Sequence, residues 1–141
     1  MRIVLFLGIL ILTGCSRTTL TVDRYAILPS DLPSNYVDSP DPRKNDPPYG
    51  QVLDVSYRIK SKKKQSMPYL LLLKVIYKNL EEETVSQTIF NDEGKFAFEV
   101  LNDKFEGTGG ILTYKAEIMT FDGDQLADFK HRLWFELISF E

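Results

Sequence analysis

The feature that most constrains the fold is the alternation of apolar and polar residues that runs through the chain from Gln51 onwards. In residues 51–59, Val, Leu, Tyr and Ile occupy alternate positions, and Asp54, Ser56 and Arg58 lie between them. Successive side chains of a β-strand point to opposite faces of the sheet, so a period of two is typical of a strand with one buried face. The sequence therefore predicts a half-buried strand in this segment.

Further segments of the same kind follow, separated by turn residues such as Asn91-Asp92-Glu93-Gly94 and Asp122-Gly123. They lie at residues 69–77, 84–90, 96–100 and 112–118, and the first of them is apolar on both faces, as a central strand would be. A last strand is expected within residues 126–140, where a helix over residues 124–131 is the rival interpretation. The glycine-rich residues 102–110 predict a longer loop. About six strands in roughly ninety residues predict an all-β fold, an antiparallel two-sheet sandwich, with a small β-barrel as the alternative.

One part of the pattern resembles a known class of domain. Tyr114-Lys115-Ala116-Glu117-Ile118, followed by Asp122-Gly123 and Leu133-Trp134, is similar to the last hairpin of immunoglobulin-like and fibronectin-III-like domains. The resemblance implies an immunoglobulin-like β-sandwich in which Tyr114 is a corner tyrosine whose hydroxyl bonds back to the chain. The chain departs from the pattern because it has no pair of cysteines and its single Trp lies late in the sequence.

The beginning of the chain combines a positive charge, a short apolar run and a cysteine. Arg2 precedes residues 3–12, which are nearly all Ile, Leu, Val and Phe. A helix of this length is too short to span ~30 Å of hydrocarbon, which takes about 20 residues. The run ends in Leu12-Thr13-Gly14-Cys15, which resembles the lipobox of bacterial lipoproteins. The resemblance implies that residues 1–14 are a signal peptide, that the Cys15 thiol carries a diacylglyceryl group, and that the new amino terminus is acylated.

Cys15 is the only cysteine of the chain, so no internal disulfide can form. The alternative to lipidation is a free cysteine that ends an apolar run by chance. In Gram-negative lipoproteins an Asp after the lipidated cysteine often favours retention in the inner membrane, so Ser16 favours the outer membrane in such a cell. The resemblance thus implies an exported protein that is anchored in a membrane of the cell envelope.

Prolines dominate the stretch that follows. Six of the seven prolines lie within residues 29–48, among Asp, Ser and Asn. Proline fixes φ and lacks an N–H, which is incompatible with a helix or a central strand at this density. We therefore expect residues 15–49 to be a lipidated, extended tether and residues 50–141 to be the sandwich domain. Residues 19–28 are either a strand laid on the edge of that domain or a docking motif for a partner.

Neither composition nor motifs indicate catalysis. The net charge of -3 gives no general attraction to nucleic acid. His131 is the only histidine and has no suitably spaced metal-binding neighbours, and the chain contains neither a Gly-x-Ser-x-Gly elbow nor a phosphate-binding glycine loop. We expect no catalytic residue, no cofactor and no metal site, and hence a protein that is not an enzyme.

The most concentrated surface charge is a lysine run in a predicted turn, made of Lys60, Lys62, Lys63 and Lys64. Such a run either contacts an anionic headgroup or acidic partner, or is a solvated turn that discourages edge-to-edge pairing. The expected function is a lipid-anchored accessory or structural component that binds another envelope protein. The alternative is a lipid-anchored module for ligand binding or surface display that recognises a glycan or an anionic lipid.

Overall fold

The computed structural model describes residues 18–37, 39–60 and 67–135. Its strands are β1 (Thr19–Ile27), β2 (Gly50–Arg58), β3 (Tyr69–Tyr77), β4 (Glu82–Ile89), β5 (Glu93–Leu101), β6 (Ile111–Thr120) and β7 (Gln125–Lys130). A short helix, α1 (Asn102–Thr108), connects β5 to β6. Three 3-10 turns, Pro29–Asp31, Pro33–Asn35 and Pro42–Lys44, lie between β1 and β2.

The strands form two antiparallel sheets with the orders β1-β2-β5 and β4-β3-β6-β7. The sheets pack face to face and do not close into a barrel. The predicted two-sheet sandwich is therefore confirmed, and the barrel alternative is wrong. β4 joins the sheet of β3 rather than that of β1, a variation on the constant-type immunoglobulin order, in which the fourth strand lies on the sheet of the first.

The core lies between the sheets and follows from the period of two. Leu53 and Val55 of β2 face Leu71, Leu73 and other inward side chains of β3 and β6, and all are almost fully buried. β3 pairs with both β4 and β6, and its outward-facing Leu70, Leu72 and Lys74 are only partly exposed, which fits its nearly continuous apolar sequence. Burial of this apolar surface is the main force that holds the sheets together, since the chain cannot form an internal disulfide.

β1 is an integral strand of the sandwich. It pairs with β2 over its whole length, from Thr19 opposite Arg58 to Ile27 opposite Gly50. Leu20 and Val22 enter the core cluster, and β1 also contacts β6 and β7 of the other sheet. Residues 19–27, which the sequence left as either an edge strand or a docking motif, therefore form a strand of the sandwich.

The proline-rich segment is a loop of the domain rather than a tether that precedes it. Its two ends, Ile27 and Gly50, are direct partners in the β1–β2 ladder. Each of its 3-10 turns begins with proline, whose fixed φ suits the first position of a helical turn. Leu32 packs into a buried position. The segment leaves the sheet at the end of β1 and returns at the start of β2, which lies directly beside it. It therefore adds no distance between the sandwich and the residues that precede β1.

Because the strands are antiparallel, their termini collect at two ends of the sandwich. We call these ends the Thr19 end and the Ile27 end, after the first and last residues of β1. The Thr19 end contains the first residues of β1, β3, β5 and β7 and the last residues of β2, β4 and β6. The Ile27 end contains the opposite termini, the proline-rich loop, the β3–β4 turn and α1.

One local expectation is corrected at the Ile27 end. Residues 102–108 form α1 rather than a loop, and Gly109 ends the helix in the left-handed region with φ of 71°. The strand β7 ends at Lys130, and the described residues after it, 131–135, include a turn in which the Trp134 N–H bonds to the His131 carbonyl.

Candidate functional site

The site residues predicted from the sequence are only partly described. Cys15 and three of the four lysines, Lys62, Lys63 and Lys64, lie outside the described residues. Lys60 is described, and it is exposed just beyond β2. Its backbone N–H donates a hydrogen bond of 3.2 Å to the hydroxyl oxygen of Thr18. The segment that leads back to Cys15 and the lysine-bearing connection between β2 and β3 therefore both leave the fold at the Thr19 end.

The same end carries exposed apolar side chains that the sequence reasoning did not single out. Phe90 follows β4, Phe121 follows β6 and Met67 precedes β3. Their exposed fractions are 69%, 63% and 40%. In the sequence, only their position indicates exposure: Phe90 and Phe121 each lie between a strand and the Asn or Asp that begins the following turn.

A shallow depression of about 270 Å³ lies on the outer face of the β1-β2-β5 sheet close to the Thr19 end. Arg58 and Glu93 line it and form a two-pronged ion pair with both N–O distances at 2.9 Å. Their mutual hydrogen bonds raise the pKa of Arg58 and lower the pKa of Glu93. Both side chains are exposed. The two charges of the pair neutralise each other within the depression.

A second depression, of about 310 Å³, lies between the neighbouring edges of β4 and β5. Lys95 and Tyr57 belong to both depressions, and Phe90 and Phe96 line the second. Burial raises the pKa of Tyr57. The two depressions together make the Thr19 end uneven and partly apolar, with the positive charge of Lys95 between them.

A polar cluster at the Ile27 end joins the two sheets. The Tyr77 hydroxyl donates to Glu83, and Lys104 of α1 contacts both carboxylate oxygens of Glu83 at 2.8 and 3.1 Å. The Lys104 ammonium also lies 4.8 Å from the centre of the Phe98 ring. Burial acts to raise the pKa of Glu83, but the hydrogen bonds from Lys104 and Tyr77 outweigh it and lower that pKa. Because the charges are matched within the cluster, it is suited to holding α1 in place.

His131 occupies a packed position beside β6. Its ring centre lies 4.9 Å from that of Tyr114, and its Nδ1 lies 3.4 Å from the Thr113 hydroxyl. The Tyr114 ring also stacks against Phe129 at 6.1 Å. Within the described residues Tyr114 is thus placed by ring packing, and no hydrogen bond of its hydroxyl to another described residue supports the corner role expected from the resemblance.

Within residues 18–37, 39–60 and 67–135, no three His, Cys, Asp or Glu side chains form a group suited to holding a metal ion. Asp122 and Asp124 belong to the tight β6–β7 turn, where the Asp124 N–H bonds to the Thr120 hydroxyl at 3.0 Å. In the same described ranges, no helix has the length and apolar character needed to cross a bilayer.

Comparisons with models of protein families, with curated proteins and with solved structures found no match to this chain.

Proposed function

We propose that this chain is a bacterial lipoprotein whose sandwich is held at a membrane surface by acylated Cys15 and binds another protein of the cell envelope. The observation that carries the proposal is the short distance along the chain between the cysteine of the lipobox and the first strand. Thr19 follows Cys15 by only four residues. A fully extended chain spans at most about 3.6 Å per residue, so the Cα of Thr19 lies within about 14 Å of the Cα of the acylated cysteine.

Acylation is sufficient to hold the protein in place. Each buried CH₂ contributes about 0.8 kcal/mol, and a single myristoyl-length chain binds only marginally, so stable attachment takes at least two chains. A diacylglyceryl group with an added amino-terminal acyl chain meets this condition. The proline-rich loop does not lengthen the attachment, because it starts after β1.

With the Thr19 end next to the membrane, the Ile27 end points away from it. That end exposes large apolar side chains on the proline-rich loop and the β3–β4 turn, namely Leu28, Tyr36, Val37 and Leu80. An exposed group of this kind is typical of a surface that contacts another protein. We assign the envelope partner to the Ile27 end for this reason, and we assign the protein an accessory or structural role rather than a catalytic one.

Two experiments test this function. Cys15→Ser should move the protein from the membrane fraction to the soluble fraction or stop its processing, whereas Ser16→Ala should do neither. Unchanged fractionation of Cys15→Ser would contradict the anchor. Photo-crosslinking residues placed at Tyr36 and Leu80 should capture one envelope protein of fixed size in intact cells, and the same residue at Gln87, exposed in the middle of β4, is the matched control.

A second candidate function is recognition of a glycan or an anionic lipid through the lysine run. The hydrogen bond between Lys60 and Thr18 favours it, because it brings the start of the lysine-bearing connection beside the start of the fold. Binding of this kind would persist without a protein partner and would weaken in high salt, since salt screens exposed charges. Replacement of the four lysines by glutamine distinguishes the two candidates, because only the second requires them.

A further inference from the structure

We propose that the Thr19 end rests on the bilayer itself, with Met67, Phe90 and Phe121 inserted into the boundary between headgroups and acyl chains. This inference rests on the proposed acylation of Cys15, and it adds an orientation and a contact surface that the anchor alone does not require. A lipoprotein on a long tether would have no fixed face toward its membrane.

The three side chains leave adjacent strands at one level of the sheet. Tyr69, the first residue of β3, is the direct partner of Ile89 in β4 and of Thr120 in β6. Phe90 and Phe121 each come one residue after those partners. Since neighbouring strands are about 4.8 Å apart, Phe90 and Phe121 leave the sheet about 10 Å from each other, on either side of β3.

Burial explains why these side chains are available for an outside contact. Tyr69, Ile89 and Thr120 point into the sandwich and are almost completely buried. The residues just beyond them, Phe90 and Phe121, leave the sheets and expose most of their surface. Single exposed apolar residues need no explanation, but three at the ends of adjacent strands form a rim that water solvates poorly.

The chain that precedes the described residues identifies what covers this rim. Thr18 hydrogen-bonds to Lys60 at the Thr19 end, and Cys15 lies three residues before Thr18. The Cα of Cys15 must then remain within about 11 Å of the Cα of Thr18, which is comparable to the 5–10 Å depth at which peripheral apolar groups enter a membrane. A separate protein would have to displace the membrane to reach the rim, whereas the bilayer is already there.

The charges beside the rim show which lipid property matters. Asp122 and Asp124 follow Phe121 in its turn, and Asp92 and Glu93 follow Phe90, while Arg58 is paired with Glu93. With Lys60 and Lys95 also at this end, its described part carries three basic side chains against four carboxylates and is therefore not basic. The contact should form on zwitterionic vesicles as well as on anionic ones, which separates it from recognition of anionic lipid by the lysine run.

The test uses the full acylated protein in vesicles. Acylation occupies the only cysteine, so Phe90→Cys, Phe121→Cys and Leu80→Cys each introduce a single free thiol for a fluorescent label that reports its surroundings. Leu80 is an exposed apolar residue at the Ile27 end and is the matched control. The vesicles are phosphatidylcholine, without or with phosphatidylglycerol, and carry brominated acyl chains that quench at known depth.

We expect labels at positions 90 and 121 to shift to the blue and lose fluorescence to the brominated chains in both kinds of vesicle, while the label at position 80 does neither. Equal quenching at all three positions, or none at any, would overturn the fixed orientation. A label at Met67→Cys in a Phe90→Ser/Phe121→Ser background should lose most of its quenching. Retained quenching there would show that the phenylalanines do not hold the contact.

A chain that is not acylated at Cys15 would give a different result from an acylated chain that does not touch the bilayer. If Cys15 is not acylated, the wild-type chain itself takes up the thiol label and does not remain with vesicles. A wild-type chain without a free thiol, combined with unquenched labels at positions 90 and 121, would leave the anchor standing and overturn only the bilayer contact.

Discussion

The backbone N–H of Lys60 donates a hydrogen bond to the hydroxyl oxygen of Thr18 at 3.2 Å. This bond joins the first described residue of the chain to the residue at which the lysine-bearing connection begins. Both segments thus leave the fold at the end where Phe90 and Phe121 are exposed. Thr18 and Lys60, which adjoin the Cys15 segment and the lysine run in the sequence, therefore lie together at that end.

The first prediction concerns β1. Leu20→Ala should lower the free energy of unfolding by about 2–4 kcal/mol, because Leu20 is 8% exposed within the core cluster and its truncation leaves a cavity. Leu28→Ala is the matched control, since Leu28 is 53% exposed and should change stability by less than about 0.5 kcal/mol. Denaturant unfolding measures both. Equal effects of the two substitutions would contradict the placement of β1 in the sandwich.

The second prediction concerns the return of the proline-rich loop to the sheet. At Gly50, φ is 145°, and a Cβ atom would overlap the Val100 carbonyl oxygen and lie 2.9 Å from the Leu101 Cα. Gly50→Ala should therefore destabilise the fold by about 2 kcal/mol or more.

Gly107→Ala is the comparison for that substitution. A Cβ there meets nothing within 4 Å, and the residue lies in α1, so the change should be neutral or stabilise by up to about 1 kcal/mol. Thermal unfolding compares the two variants. If Gly50→Ala proves as stable as Gly107→Ala, the close approach of Gly50 to Val100 is wrong.

The third prediction concerns acid sensitivity. Burial lowers the pKa of His131 below its usual 6.5, and the nearby Arg24 and Arg132 act in the same direction. The unfolded chain therefore binds a proton at a higher pH than the folded chain does, and the free energy of unfolding should fall as the pH drops below about 6.5. The pKa of Glu83 is lowered in the folded chain, so the stability that its ionised form contributes is lost only below pH 4.5.

Replacement of the histidine isolates its contribution. His131→Gln should abolish the fall in stability between about pH 7 and pH 5 that urea unfolding detects in the wild-type chain. If the variant and the wild type lose stability in parallel over that interval, another group is responsible and the assignment to His131 is wrong.

The fourth prediction concerns the lysine run. Replacement of Lys60, Lys62, Lys63 and Lys64 by glutamine should leave the protein in the membrane fraction, because its acyl chains supply most of the attachment. The crosslinks from Tyr36 and Leu80 to the envelope partner should also persist. Release from the membrane, or loss of the partner, would instead favour the charge-dependent candidate function, for which about 1 kcal/mol per lysine is the expected scale.

The strands that the sequence predicted best are those whose two faces meet different surroundings. β2 and β6 alternate clearly because one face of each packs on the opposite sheet. β1 was harder to assign to the domain, since only Leu20 and Val22 are buried in it and the dense prolines follow directly. The proline pattern correctly excluded long helices and central strands, but it carries no information on whether the two ends of the segment meet.

The helix and the apolar rim depend on tertiary context. α1 is only seven residues long and contains Gly107, so its own propensity for helix is weak, and the contacts of Lys104 with Glu83 and Phe98 help to hold it. Phe90 and Phe121 are separated by much of the chain, and only the pairing of β3 with both β4 and β6 brings them to one rim. No local pattern encodes that relationship.

The most direct test of the central claim is the intact mass of the protein purified from the membrane fraction. We expect a chain that begins at Cys15, carries the added mass of a diacylglyceryl group and an amino-terminal acyl chain, and has no free thiol. A membrane-fraction protein that retains residues 1–14, or one with an unmodified Cys15, would contradict it.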